Sequence, residues 1–198
     1  MDKAKNIWII NDKDELILVD KNNMKVKTFL PYASSTGNTT DQLYDLGVLE
    51  DQLYLFYRSG LLICYNLKSH QEIYRQKLPD ELPKGKYENT SYVVPGNNTF
   101  YQLRNGSQGG VMLNYDITRK KWNIVFQTDY RLNSLSIDKD SSIWVSCYMG
   151  LWNIDAGLIN KQYIPNLKLV DGRTINTEVS TLYNDNQGGM WLGTLDRG

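Results

Sequence analysis

The stretch IDKDSSIWVSCYMGLWNID, residues 137–155, decides the fold because its pattern occurs again near the end of the chain. In this stretch Trp144 follows Asp138 by six residues. The stretch YNDNQGGMWLGTLDRG, residues 183–198, separates an aspartate from a tryptophan by the same six residues. A motif that recurs at a fixed period indicates stacked supersecondary units. The spacing of this motif along the whole chain therefore predicts the architecture.

Five short apolar runs, each with a central aromatic residue, recur at nearly equal intervals of 46, 47, 43 and 47 residues. A further apolar segment follows each of the first four runs and ends in Asp or Asn. Such a side chain can accept a backbone N–H two residues on and close a hairpin turn. The aromatic residues are Trp8, Tyr54, Tyr101, Trp144 and Trp191. The turn residues are Asp20, Asn66, Asp116 and Asp155.

Each repeat holds four short strand-like segments, and this number in 43 to 47 residues is typical of a propeller blade. The sequence therefore predicts an all-β fold, a β-propeller of four-stranded antiparallel blades, present as a partial propeller of about four blades in a single domain, residues 1–198. Strands follow the order inner, second, third, outer, and the aromatic residue of the second strand is expected to pack between adjacent blades. The predicted blades are approximately 1–31 (partial), 43–78, 90–128, 133–167 and 178–198 (partial).

Composition and charge favour β-structure and give no support to several classes of partner. Lys and Arg total 22, and Asp and Glu total 22, so no net charge attracts nucleic acid or an acidic membrane surface. The 14 Tyr and 5 Trp residues favour strands. The sequence has no run of about 18 apolar residues, as a membrane-spanning helix needs, and its start lacks the apolar run of a secretory signal. The chain is therefore expected to behave as a soluble fragment.

The sequence predicts no catalytic residue, no metal site and no cofactor. The single histidine, His70, lies in a predicted turn, and Cys64 and Cys147 are far apart, so these residues cannot form a closed zinc site. Both cysteines are expected to be buried and unpaired. Asp80 and Glu81 are adjacent in a polar loop, which does not suit acid–base catalysis. This chain is therefore not expected to be an enzyme.

Candidate ligand-binding residues lie in the loops of one face of the predicted propeller. Outer-to-inner connections and second-to-third hairpins share this face, and several of these loops are longer than a hairpin needs. Flat aromatic side chains and forked donors in these loops could bind a ligand with ring faces and hydroxyl groups. A loop Tyr or Arg is more often a solvated rim residue or an inter-blade contact, so that alternative stays open. The candidates are Tyr57, Arg58, Arg104, Asn105, Tyr130, Arg131 and Tyr148.

The last two repeats resemble the two-component regulator propeller family, whose repeat reads Asp-x-x-Gly-x-hydrophobic-Trp-hydrophobic-Gly-Thr. The residues that match best are Asp185, Gly188, Trp191, Gly193, Thr194 and Gly198. In the preceding repeat Asp138, Trp144, Gly150 and Leu151 fit. There Ser141 replaces the turn glycine. The Asp boxes of sialidase-type propellers are a rival resemblance, but their aromatic residue comes one position earlier.

This resemblance implies a periplasmic sensor region of a Bacteroides-type hybrid two-component histidine kinase. The parent protein would be anchored in the inner membrane, and the kinase would lie outside this chain. The implied ligand is an oligosaccharide. Two alternatives remain open at this point, namely a periplasmic propeller glycan hydrolase or lyase and a purely structural scaffold. Open sheet edges and an uncovered blade face also lead us to expect a homodimer.

Overall fold

A computed structural model describes most of the chain as β-structure. The described residues are 6–11, 15–29, 41–69, 71–82, 86–107, 109–148, 150–168, 171–175, 178–185 and 187–195. Within these ranges no helix is long and apolar enough to cross a membrane. The chain divides into two compact units, residues 1–78 and 79–198.

The first unit contains a three-stranded and a four-stranded antiparallel sheet, in which neighbours in sequence are neighbours in space. Alternation along the first strand explains its position, since Trp8 and Ile10 pack inward while Ile7 and Ile9 are exposed. Its strands are β1 (Ile7–Ile10), β2 (Leu16–Val19), β3 (Val26–Phe29), β4 (Leu43–Leu49), β5 (Gln52–Tyr57), β6 (Leu62–Asn66) and β7 (Glu72–Gln76).

The second unit contains two four-stranded antiparallel sheets, β8–β11 and β12–β15, and two short two-stranded sheets. One short sheet, Leu167–Lys168 with Thr174–Ile175, lies where the predicted blade 133–167 ends and before the predicted blade 178–198. The strands are β8 (Asn89–Gly96), β9 (Thr99–Gly106), β10 (Gly109–Asp116), β11 (Lys121–Thr128), β12 (Leu132–Ile137), β13 (Ile143–Cys147), β14 (Gly150–Ile154), β15 (Lys161–Ile164), β16 (Leu167–Lys168), β17 (Thr174–Ile175), β18 (Val179–Asn184) and β19 (Met190–Thr194). The predicted four-stranded order, inner to outer, is confirmed.

Apolar clusters between neighbouring sheets form the core of each unit. In the first unit, residues such as Leu16 and Leu53 join the β1–β3 sheet to the β4–β7 sheet. In the second unit, one cluster lies between sheets β8–β11 and β12–β15, and another joins β12–β15 to β18–β19. Burial of each Leu or Val side chain contributes about 1.5–3 kcal/mol. These layers hold sheets together face to face.

Three of the five periodic aromatic residues belong to these layers, as predicted. Trp8, Tyr101 and Trp144 each pack against one of the inter-sheet clusters. Tyr54 is buried outside these clusters, whereas Trp191 is 66% exposed on the sheet β18–β19. The repeated aromatic residue is therefore a packing residue between sheets in three repeats.

Turns between the third and outer strands are closed by the predicted Asp and Asn side chains. Asp20 accepts a hydrogen bond from Asn22 N at 2.8 Å. Asn66 accepts one from Lys68 N at 2.9 Å. In the β14–β15 turn, Asp155 accepts hydrogen bonds from backbone N–H groups. The bond from Ile159 N–H is the largest cause of a pKa of Asp155 below its usual value. The β1–β3 sheet and the four-stranded sheets thus share one turn chemistry, in which an Asp or Asn oxygen accepts from backbone N–H groups.

Both cysteines are buried thiols that are not joined in a disulfide, as expected. Gly150 begins β14 with φ +150°, and a side chain there would overlap the Ile164 carbonyl oxygen. A side chain at Gly193 would press on Thr181 of the paired strand at 2.5 Å. The repeat glycines therefore permit close approach of neighbouring strands.

Candidate functional site

Each innermost strand carries a β-bulge at the same position in its sheet. In β12, Leu132 pairs with Cys147 but Ser134 pairs with Ser146, so one residue is extra. The same shift occurs in β4, β8 and β18. The extra residues are Tyr44, Ser91, Asn133 and Ser180. Bulges re-aim side chains and are frequent beside functional sites.

We call the end of each sheet that carries its bulge the bulge end. It coincides with the second-to-third hairpins, because the bulged residues face the last residues of the second strands. It is therefore the face on which the sequence places its candidate residues. Asn133 reaches from one inner strand to the next, since its Nδ2 donates to Glu178 Oε1 at 2.8 Å and to Val179 O at 3.1 Å.

An aromatic stack ends at the surface of the bulge end in the second unit. The Tyr130 and Tyr163 rings are nearly parallel, with centroids 5.8 Å apart and an interplanar angle of 17°. Below them Trp152 lies 5.0 Å from Tyr163, and Phe126 lies 5.0 Å from Trp152. Tyr130 is 38% exposed, so the buried stack fixes a partly solvated ring.

Burial raises the pKa of Tyr163 to about 12, with smaller contributions from the neighbouring Cys147 thiol and Tyr130 phenol. Tyr163 is therefore a neutral phenol at ordinary pH. Because it cannot ionise there, it supports the Tyr130 ring without adding charge to the surface.

The structure brings three of the predicted residues together at this place. Tyr148 N–H donates to the Arg131 carbonyl oxygen at 3.2 Å, which joins the β13–β14 hairpin to the connection before β12. Tyr148 is 56% exposed, and Arg131 is also exposed beside Tyr130 in sequence. The backbone thus brings Tyr130, Arg131 and Tyr148 next to one another at the bulge end. Such a group offers ring faces and a forked set of donors.

Arg104 and Asn105 occupy a different place from the exposed loop that the sequence predicts. Both lie within β9 and are buried, with Arg104 1% exposed. Arg104 donates from Nε to Tyr87 O at 2.9 Å and from Nη2 to Glu88 O at 2.8 Å. Its guanidinium therefore fixes the connection that leads into β8.

Asn105 fixes the next connection in the same way. Its Oδ1 accepts from Leu132 N at 2.9 Å, and its Nδ2 donates to Leu132 O at 2.7 Å. Gly110 lies beside this contact, where a side chain would meet Leu132 and Asn105. Arg104 and Asn105 hold the strands and connections that carry the exposed residues, and direct ligand contact is not their role.

In the first unit, Tyr57 and Arg58 differ in exposure. Tyr57 is buried in β5 and belongs to the apolar cluster, so it is a core residue and not a loop residue as predicted. Arg58 is exposed, and its Cζ lies 5.9 Å from the centre of the Tyr44 ring. Ser59 donates to Asp41 from its backbone N at 3.0 Å, which fixes the hairpin. Tyr44 is a bulge residue, and an extra residue in an alternating strand was the one signal of it in the sequence.

Burial is the largest cause of the raised pKa of two groups in this sheet, Asp45 and Tyr44. It raises the pKa of Asp45, while the Leu46 backbone N–H opposes this shift. It also raises the pKa of Tyr44, with Asp45 adding to the shift and Arg58 opposing it. A half-buried carboxylate, a phenol and a guanidinium therefore accompany the bulge in this sheet.

Acid–base and metal chemistry receive no positive indication. Within the part of the chain that the structure describes, no group of three or more His, Cys, Asp or Glu side chains could hold a metal ion. His70 and Gly198 lie outside the described residues. Asp80 and Glu81 are both exposed, in a turn.

The final repeat places its signature residues in one turn. Asp185 accepts hydrogen bonds from Gln187 N at 2.8 Å, Gly189 N at 2.7 Å and Trp191 Nε1 at 2.9 Å. Residues 175–196, which contain this turn, match the sequence model of the family described as "Two component regulator propeller". This segment is a two-component regulator propeller repeat. The resemblance drawn from the sequence is therefore confirmed. A search of curated proteins found no match.

Three solved structures are similar to this chain over most of its length. The extracellular domain of the hybrid two component system BT4673 from B. thetaiotaomicron has a TM-score of 0.69 and 16% identity, over 98% of this chain and 25% of that chain. The extracellular domain of the hybrid two component system BT3049 from the same organism has a TM-score of 0.66 and 13% identity. The similarity covers 96% of this chain and 24% of that chain. The β-propeller domain of Myceliophteria thermophila Cps50 (Swd1) has a TM-score of 0.61 and 11% identity. The similarity covers 89% of this chain and 58% of that chain.

These similarities confirm the β-propeller fold. The chain spans about a quarter of the length of the two B. thetaiotaomicron extracellular domains. It therefore corresponds to part of a propeller, built from the four-stranded antiparallel sheets described above.

Proposed function

We propose that this chain is an extracytoplasmic ligand-sensing module of a hybrid two-component sensor, and that it recognises carbohydrate at the bulge end. The observation that carries the proposal is the group of Tyr130, Arg131 and Tyr148, joined by the Tyr148 N–H bond to Arg131 O. The matched repeat and the two similar extracellular domains support the sensor role.

The chemistry of this group suits a sugar. A pyranose ring has an apolar face, which can lie on the exposed ring of Tyr130, and hydroxyl groups, which can accept from the Arg131 fork. Tyr163 stacks beneath Tyr130 and fixes the ring before ligand arrives. Because a fixed ring loses little conformational entropy on binding, this arrangement favours affinity.

Signalling would follow from a change in the relative placement of propeller-bearing chains. A ligand can shift such an equilibrium only by binding one arrangement more tightly than another. In this proposal the chain has no catalytic activity, and the histidine kinase belongs to a membrane-anchored parent with its sensor region in the periplasm. The oligosaccharide is the ligand of the bulge end, and no cofactor takes part there.

We also propose that the chain forms a homodimer through its uncovered sheet faces. Tyr183 and Trp191 are paired across β18 and β19 and are 63% and 66% exposed, while Ile7 and Ile9 of β1 are 41% and 43% exposed. Apolar sheet faces of this kind favour association. Light scattering should give twice the monomer mass, and Tyr183→Asp should return the mass to that of a monomer. A monomer at every concentration would contradict this dimer.

Isothermal titration calorimetry of the chain with a panel of glycan oligosaccharides tests the sensor proposal. Arg131→Ala and Tyr148→Ala should each weaken binding, whereas Arg75→Ala should not, because Arg75 lies on an outer strand and is paired with Glu72. Binding that neither bulge-end variant weakens would move the ligand site elsewhere. Conversion of the sugar during the titration would favour a hydrolase or lyase, and no binding by the panel would favour a structural scaffold.

A further inference from the structure

An open groove of about 460 Å³ lies in the second unit, at the end of the β8–β11 sheet opposite its bulge end. Its two walls are the β8–β9 turn and the β10–β11 turn. The volume falls in the range of roughly 300–1,000 Å³ that is usual for small-molecule sites. The lining residues that matter below are Asn98, Thr99, Tyr101, Asn114, Asp116 and Arg119.

In the β4–β7 sheet a glutamine stands at the position that corresponds to Thr99. Gln52 of β5 pairs with the turn residue Asn66, as Thr99 of β9 pairs with Asp116. The Gln52 Oε1 accepts from the Tyr54 hydroxyl at 2.6 Å, and Tyr54 is only 1% exposed. The glutamine thus covers the periodic aromatic residue of its own sheet.

The shorter Thr99 does not cover Tyr101 in this way. The Thr99 hydroxyl donates to Tyr115 O at 2.8 Å and accepts from Asn114 Nδ2 at 2.5 Å, so it is turned toward β10. Tyr101 is therefore only half-buried and lines the groove. The two sheets therefore differ at this position, since glutamine bonds to the periodic aromatic residue and threonine does not.

Hydrogen bonds fix the polar floor of the groove in advance. The Asn114 carboxamide is held at both ends, since its Nδ2 donates to Thr99 Oγ1 and its Oδ1 accepts from Asn123 Nδ2 at 3.1 Å. The amide nitrogen carries a second hydrogen that the Thr99 bond does not use. A fixed amide with a remaining donor is suited to a ligand hydroxyl.

The charges of the groove are balanced. Arg119 Nε lies 3.7 Å from Asp116 Oδ2, and the Arg119 side chain is 82% exposed. The other groove residues are amides, hydroxyls and one phenol. Burial raises the pKa of Tyr101, so that phenol is neutral at ordinary pH. A balanced site with many donors and acceptors favours a neutral ligand over an anion or a cation.

We propose that this groove binds a neutral saccharide unit, at a site separate from the bulge end. The sugar would place a ring face on the exposed part of Tyr101 and its hydroxyls on Asn114 and Arg119. Because a single sugar unit is small and the groove is open, the expected Kd is on the order of millimolar.

Titration of the isotope-labelled chain with glucose, galactose, mannose, xylose and arabinose, followed by amide NMR, tests this proposal. The signals of Asn98, Asn114 and Arg119 should shift in a saturable manner. Thr99→Gln copies the glutamine of the β4–β7 sheet and should weaken binding about tenfold, the loss expected for one or two hydrogen bonds. Arg119→Ala, in an exposed turn, is a second variant that should keep the fold and weaken binding.

A matched control is Lys68→Ala, which removes an exposed turn residue from the β4–β7 sheet and should leave the affinity unchanged. The proposal is overturned if none of the neutral sugars shifts the groove signals, or if Arg119→Ala and a folded Thr99→Gln leave the shifts intact. It is also overturned if glucuronate or glucosamine shifts them more strongly. Signals of Arg131 and Tyr148 report the bulge end separately, so failure of one site is distinguishable from failure of the other.

Discussion

Two turns of the second unit share a backbone and differ in their side chains. In the β12–β13 turn, Asp138 N donates to Ser142 O at 2.8 Å. In the β18–β19 turn, Asp185 N donates to Gly189 O at 2.9 Å. Each has a residue with positive φ before the second strand, Ser141 at +66° in the first and Gly188 at +90° in the second. The hydrogen-bonded path of the chain is thus the same in both.

The two turns differ in which side chains accept hydrogen bonds. Asp185 alone accepts from two backbone N–H groups of its turn and from Trp191 Nε1. In the earlier turn, Asp138 accepts from Lys139 N at 2.7 Å, while Asp140 accepts from Ser142 N at 2.8 Å. The single carboxylate of the last turn is therefore replaced by two.

This difference means that the two turns depend on one aspartate to different degrees. We infer that the Asp185 turn depends on a single carboxylate, whereas the Asp138 turn shares its hydrogen bonds between two carboxylates.

The largest expected effect comes from the packing beneath the last sheet. Leu182 is 4% exposed in the cluster with Leu151 and Val179, so Leu182→Ala should cost about 2–5 kcal/mol of stability. Hydrogen exchange should show lost protection at the Asp185 turn and little change at the Asp138 turn. Lys121→Ala, at an exposed position of β11, is the control and should stay within about 0.5 kcal/mol. Equal loss of protection at both turns would show that the two turns open together and not separately.

A smaller effect is expected at the glycine of the signature. Gly188 has φ +90° and no atom within 4 Å of an added Cβ, so Gly188→Ala has a purely conformational cost. That cost should be about 1–2 kcal/mol, measured by urea unfolding. Gly172→Ala is a matched control, since Gly172 has φ +85° and equally open surroundings. A cost at Gly188 well below that at Gly172 would mean that the Asp185 network tolerates a shifted turn.

The fold could be predicted because its signals are local or periodic. Asp20 and Asn66 bond to backbone groups two residues away, and the aromatic residues repeat at the blade period. The roles of Arg104 and Asn105 could not be predicted, because their partners are 17 and 27 residues distant. The glycine-rich segment RNGSQGG, residues 104–110, is typical of a loop. In the structure it includes the paired ends of β9 and β10, where its glycines let neighbouring backbone segments approach closely.

The candidate site was predicted in part for similar reasons. Propeller topology assigns Tyr130, Arg131 and Tyr148 to one face, and the structure joins two of them directly. Tyr44 was missed because a single extra residue does not disturb the alternating pattern enough to reveal a bulge. The groove was not predicted because a sequence pattern does not show that Thr99 leaves Tyr101 partly uncovered.

The next prediction asks whether Ser141, which replaces the turn glycine of the signature, lowers the stability of the Asp138 turn. Ser141 adopts φ +66°, a region where a side chain costs energy, so Ser141→Gly should relieve strain. The greater freedom of glycine in the unfolded chain offsets most of the gain, which leaves about 0.5 kcal/mol of stabilisation in urea unfolding. Glu50→Gly, at φ +56° in the β4–β5 turn, should behave alike. Destabilisation by Ser141→Gly would show that the Ser141 side chain contributes to the turn in its own right.

The smallest effect is a pH dependence confined to one turn. The Trp191 indole N–H, followed by the Gly189 and Gln187 N–H groups, lowers the pKa of Asp185 from its ordinary value of 3.8. Since the folded state favours the ionised carboxylate, its contribution to stability is fully present above about pH 3.8 and is lost as pH falls through the lower folded pKa.

The Trp191 indole N–H resonance should therefore titrate with a midpoint below 3.8, and Asp185→Asn should abolish that step while the amide oxygen keeps an acceptor for the indole. The Trp144 resonance is the internal reference, because Trp144 packs against an apolar cluster and its turn carboxylates bond to backbone groups. If both resonances moved together, the acid transition would be unfolding of the whole second unit. The two turns would then share one stability despite their different side chains, and the inference that the last turn depends on its own carboxylate would be wrong.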